Sequence, residues 1–108
     1  MDFKSTLSKY GKDDVVFSQH ALRQMSDRNL EVKFVLDKLF DVKSIAFEQW
    51  NEGNRTFKIV YKHSGTYSIV IVASPHGGIL TVVTVYKTNK AVQKLIEKGG
   101  AIHIMKRI

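Results

Sequence analysis

Apolar residues recur at helical spacing early in the chain and alternate at strand spacing later, with the change falling near residue 43. Residues 1–12 are polar and broken by Gly11, which predicts a loose or helical lead-in. Val15-Val16-Phe17 reads as a short strand. Ser18 is placed to cap a helix from about Gln19 to Arg28, and Asn29 can leave that helix in a left-handed conformation. Val32, Val35, Leu36 and Leu39 define a second helix from about Glu31 to Phe40, with Glu31 favourably placed near its N-terminus.

Beyond residue 43 the pattern predicts strands. Lys43–Trp50 is the first, closed by the turn Asn51-Glu52-Gly53-Asn54. Thr56–Lys62 alternates, with Phe57, Ile59 and Tyr61 on one face and Thr56, Lys58, Val60 and Lys62 on the other. His63-Ser64-Gly65 makes a hairpin loop. Tyr67–Ala73 and Ile79–Lys87 are rich in β-branched residues, and Pro75-His76-Gly77-Gly78 turns between them. Loops this short require antiparallel neighbours, so residues 43–87 are expected to form a meander. A last helix, about Asn89 to Lys98, would end at Gly99-Gly100.

The expected architecture is therefore α+β. An antiparallel sheet of four to five strands carries two N-terminal helices on one face, and a C-terminal helix follows. No linker or repeat divides the chain, which predicts a single domain over 1–108 with its core at about 14–98. The face away from the helices would present Lys58, Lys62 and Tyr86.

Composition narrows the chemistry. With no cysteine, disulfide and zinc-thiolate sites are excluded, which fits a cytoplasmic setting. No apolar run is long enough to span a bilayer, and the N-terminus lacks the order of a signal peptide, so no membrane partner is expected. The net charge of +7 is one-sided: residues 1–50 hold eight basic and eight acidic side chains, and residues 51–108 hold nine basic against two acidic. A sided excess favours a polyanion, RNA first, or else a solvated basic surface. Lys90, Lys94 and Lys98 stand at i, i+4 and i+8, either a phosphate-tracking stripe or a solvated helix face.

His20, Arg23, Gln24 and Asp27 share one face of the first strong helix. RNA cleavage without a metal needs a base, an acid and cations that stabilise the pentacoordinate phosphate. His20 fits the proton-transfer role, and Arg23, Arg28 and Lys58 fit the phosphate; Tyr86 or Thr84, at the end of the last strand, can bind phosphate or orient the base. The bland alternatives stand beside these: His20 as a helix anchor, Arg28 as a cap for helix carbonyls, Trp50 as a core aromatic rather than a stacking platform, and His63 and His76 as solvated turn residues. No histidine–carboxylate spacing suggests a metal, and no cofactor is implied.

The element order resembles the RelE/ParE-type toxin fold, in a wider group of ribonuclease toxins that includes the colicin E and D tRNA nucleases. More specifically, the chain is similar to a small domain family with the motif His-Ala-x-x-Arg-Met-x-x-Arg-x-Ile and a later Val-Val-Thr-x-Tyr. Here His20, Ala21, Met25 and Arg28 match the first, with Leu30 for Ile, and Val82-Val83-Thr84-Val85-Tyr86 matches the second. The resemblance spans roughly 14–88 and implies a metal-independent ribonuclease of toxin type acting on mRNA or tRNA. His20, Arg23, Arg28, Lys58 and Tyr86 would be catalytic, and Lys62, Thr84, Lys87, Lys90 and Lys94 would bind RNA. An acidic antitoxin or immunity protein would be the natural partner. One departure is chemical: the family's first Arg falls on Gln24, and Arg23 lies about 100° away around the helix. A neutral amide cannot stabilise a phosphorane as a guanidinium does. The other readings are a non-catalytic nucleic-acid-binding module and a protein-interaction domain of a virus or mobile element, both on the same fold.

Overall fold

The computed structural model describes residues 2–89. In chain order the elements are helix α1 (Phe3–Leu7), strand β1 (Val15–Phe17), helices α2 (Gln19–Asp27) and α3 (Val32–Leu39), and strands β2 (Ile45–Asn51), β3 (Thr56–Lys62), β4 (Tyr67–His76) and β5 (Ile79–Asn89). The class is α+β. The five strands form one sheet in the order β1-β5-β4-β3-β2.

Strands β2 to β5 are the expected antiparallel meander. The expectation of a wholly antiparallel sheet is corrected by β1, which runs parallel to β5 with Val15 opposite Leu80 and Phe17 opposite Val82. Three residues are too few for alternation to disclose a partner or a direction. Those are set by where the chain must go next: the Ser18 amide donates to the Val82 carbonyl at 2.9 Å, and α2 starts at once.

Two further boundaries differ. The turn expected over Pro75–Gly78 shrinks to Gly77-Gly78, because β4 continues to His76. Proline is tolerated there because β3 stops pairing at Ala73, leaving Pro75 with β5 as its one neighbour. Gly77 takes φ 60, which favours glycine. At the other end Asn89 closes β5 rather than opening a helix. The rest of the expected C-terminal helix lies outside the described residues.

Alternation along the strands builds two faces. Phe57, Ile59 and Tyr61 of β3 align with Ala73, Ile71 and Ile69 of β4. They join Val82 and Val85 in one core with Phe3, Leu7, Ala21, Met25, Val35 and Leu39, so all three described helices cover the same face. Each large side chain removed from water here contributes about 1.5–3 kcal/mol. The lead-in residue Phe3 is fully buried and meets Phe57 edge-on at 5.1 Å. Its helix is short but well anchored. Asp2 caps it by accepting the Ser5 hydroxyl at 2.7 Å and the Ser5 amide at 3.1 Å, which together hold the Asp2 carboxyl below its usual range, and the Phe3 amide donates to Glu48 at 2.7 Å. Tyr61, also buried, donates its hydroxyl to the Leu39 carbonyl at 2.8 Å and ties β3 to the end of α3. Burial pushes its hydroxyl far above the usual tyrosine range.

Candidate nucleic-acid interface

Helix α2 is seated on β5 by two side-chain contacts, from Ser18 to Val83 and from Gln24 to Val85. Ser18 caps it by accepting the Ala21 amide at 3.0 Å, and the same hydroxyl donates to the Val83 carbonyl at 3.1 Å. Val83 is the extra residue of a bulge in β5, where Val72 pairs with Thr84 but Ala73 with Val82. One turn on, Gln24 accepts the Val85 amide at 3.0 Å. The residue that departs from the family motif is therefore a structural acceptor aimed at the sheet.

His20 and Arg23 lie one turn apart on α2 and are both exposed. Arg28 is the C-cap, exposed, with one guanidinium nitrogen 3.4 Å from the Gln24 carbonyl. Asn29 follows at φ 55, the left-handed exit expected of it.

The remaining candidates stand elsewhere. Pairing puts Lys58 beside Val72 and Thr84, Val60 beside Val70 and Tyr86, and Lys62 beside Ser68 and Thr88, all on the sheet face away from the helices. Phe47 of β2 joins the middle row, opposite Val60. None of the strand residues on this face is acidic. Glu48, the one carboxylate within the strands, faces the helix side, where it meets the Phe3 amide. A cleft of about 350 Å³ surrounds Lys58, lined by Gln49, Trp50, Asn51, Asn54, Thr56 and Val72. Partial burial pulls the Lys58 amine below the usual lysine range, and the same effect pushes the Tyr86 hydroxyl up.

The structure thus gathers Lys58, Lys62, Thr84 and Tyr86, and sets them across the sheet from His20, Arg23 and Arg28. Lys87 belongs to the helix-side register, opposite Ile69, with its ammonium 5.1 Å from the Tyr67 ring centroid. Lys90 and Lys94 lie outside the described residues. Trp50 packs on Phe57 at 4.7 Å, donates its indole N–H to Glu52, and lies under the Arg55 guanidinium, so it serves the core edge. His63, expected as a solvated turn residue, is exposed in the hairpin, and its ring also packs between Phe34 and Tyr67. A histidine four residues before a tyrosine is too weak a signal to find that contact, because Phe34 comes from another element.

Among the described residues no group of three His, Asp or Glu side chains is gathered to hold a metal. None of their helices is long and apolar enough to cross a membrane. Comparison with protein-family models, with curated proteins and with solved structures finds no match to this chain.

Proposed function

We propose that the protein is a cytoplasmic RNA-binding module that uses the sheet face opposite its helices. The observation that carries this reading is the acid-free face on which Lys58 and Lys62 stand among hydroxyls and aromatic rings. Lysine ammonium groups suit phosphates, threonine hydroxyls suit phosphate or sugar oxygens, and Tyr86 with Phe47 offers ring surface to bases. The motif resemblance to RelE/ParE-type proteins supports RNA as the polyanion. An acidic antitoxin or immunity protein would compete for the same cations.

Binding is preferred to cleavage because the phosphate-binding candidates on the sheet are separated from the proton-transfer candidate. Metal-independent cleavage of mRNA or tRNA is the second reading, favoured by the exposed pair His20 and Arg23 on α2. One experiment separates them. Single-stranded RNA is titrated at two salt concentrations, with chelator present and the RNA length monitored. Intact RNA, affinity falling steeply with salt, and a salt slope lowered by about one for each of Lys58→Gln and Lys62→Gln are expected. Cleavage that His20→Ala abolishes would replace the binding reading, and absent or salt-independent binding would end both.

A further inference from the structure

On the helix side of the sheet, the α2–α3 loop and the β3–β4 hairpin enclose a second cleft, of about 420 Å³. It falls within the size range of small-molecule sites. Three aromatic rings wall it. Phe34 meets His63 edge-on at 5.2 Å, and His63 meets Tyr67 at 5.2 Å with the rings tilted by 46°. Asn29, Leu30, Glu31 and Lys87 complete the lining. Glu31 and Lys87 are both exposed, and Glu31 makes no capping bond to the helix it precedes.

We propose that this cleft is a binding site for a guanine nucleotide, with the base against His63 and Tyr67, its donor edge on Glu31 and its phosphate on Lys87. The aromatic walls call for a flat π system, since stacking on such rings is favourable for any base. The polar lining makes the choice narrower. A carboxylate has two acceptor oxygens and no donor at neutral pH, and guanine offers a ring N–H and an exocyclic amino group side by side. Adenine presents an acceptor nitrogen where guanine has its ring N–H, so it meets the carboxylate with repulsion at one oxygen. The ammonium on the same lining fits an anion at the other end of the ligand.

His63 supplies the reporter. Burial, with Lys38 and Lys87 nearby, holds its imidazole below the usual histidine range. The charged groups around it are these two lysines, Asp41 at 3.9 Å from Lys38, and Glu31 across the cleft. A base against the His63 ring and a phosphate on Lys87 would both change the surroundings of its ring protons. The site goes beyond the RNA-binding face and shares no residue with it. Its ligand is the same chemical unit whether it comes as a free mononucleotide or as one residue of an RNA strand.

The test is a titration of the full chain, followed by NMR at the His63 ring protons, with guanosine 5′-monophosphate, adenosine 5′-monophosphate, and oligoribonucleotides with or without guanine. The guanine mononucleotide should shift these signals, and it should bind at least about tenfold tighter than the adenine one. Glu31→Gln should erase that preference, and Lys87→Gln should weaken the nucleotide while leaving guanosine unaffected. Both side chains are exposed, so both variants keep the fold. A response confined to the guanine-containing oligonucleotide assigns the site to an RNA residue, and a response to the mononucleotide assigns it to a free nucleotide; either supports the proposal. Silence of His63 toward every ligand, equal affinity for the two mononucleotides, or a preference that survives Glu31→Gln overturns it. Lys58→Gln, which tests the sheet face, should leave mononucleotide binding unchanged.

Discussion

On the helix side of the sheet, Ile59, Ile71 and Val85 form one row across three strands, in a core shared with Met25 and Leu39. One residue along, on the other side, Lys58, Val72 and Thr84 form the matching row, and the described helices all lie opposite it. The strands are the same and the backbone ladder is common to both faces. What differs is what each side chain meets. The covered face stabilises the fold by removing apolar area from water, and its single strand carboxylate is occupied by the Phe3 amide. The other face holds a partly buried ammonium in a polar cleft suited to an anion, beside Val60, Val70 and Ser68, which are fully buried and add to the stability of the fold. The two faces thus differ in the charged and hydroxyl groups they carry, while both bury apolar side chains, Val60 and Val70 among them on the second.

The largest expected effect tests that difference directly. Ile71→Ala, within the covered row, should lower unfolding stability by about 2–5 kcal/mol, through lost burial and the cavity left behind. Thr84→Ala, in the opposite row, should stay within about 0.5 kcal/mol of the unaltered protein. Chemical denaturation of the two variants gives the comparison, and equal losses would mean that the second face is as much core as the first.

A smaller effect is expected at the joint between helix and sheet. Gln24→Arg restores the guanidinium of the family motif but removes the acceptor for the Val85 amide. It should cost about 1–3 kcal/mol, because a partly buried N–H loses its partner. RNA binding at the opposite face should survive at temperatures where the variant is folded. A gain in stability would show that the amide contact is incidental.

The smallest effect concerns His63. Its folded pKa lies below 6.5, so the unfolded chain takes up the proton first as pH falls. Stability should therefore decline as pH drops from about 7 through 6.5 toward the lower folded pKa, and be unaffected by this group above that range. His63→Phe keeps an aromatic ring between Phe34 and Tyr67 and should flatten the decline. Denaturation midpoints at a series of pH values check this; an unchanged slope in the variant would assign it to other groups.

Much of the fold was legible because its signals are local. The alternation in Thr56–Lys62 predicts that strand and its two faces, and both agree with the pairing. Ser18 as a cap and Asn29 as a left-handed exit bound α2 to within one residue, since both depend on the conformation of a single position. The candidate site was legible only in part. Lys58, Lys62 and Tyr86 could be placed on one face from the strand pattern, and the pairing adds Thr84 to it. His20 and Arg23 could be placed on a helix, but the side of the sheet on which that helix lies is a long-range property.

The sequence by itself determined the class, the meander and the two faces of Thr56–Lys62, because period and turn chemistry act over a few residues. Tertiary structure alone decided the direction of β1, the burial of Phe3, the use of Gln24 as an acceptor for Val85, and the seat of His63 between Phe34 and Tyr67. The last three join residues some 30 to 60 positions apart, as Gln24 and Val85 do at a separation of 61. No local preference encodes such contacts. They form when buried area and hydrogen-bond satisfaction are optimised for the whole chain at once.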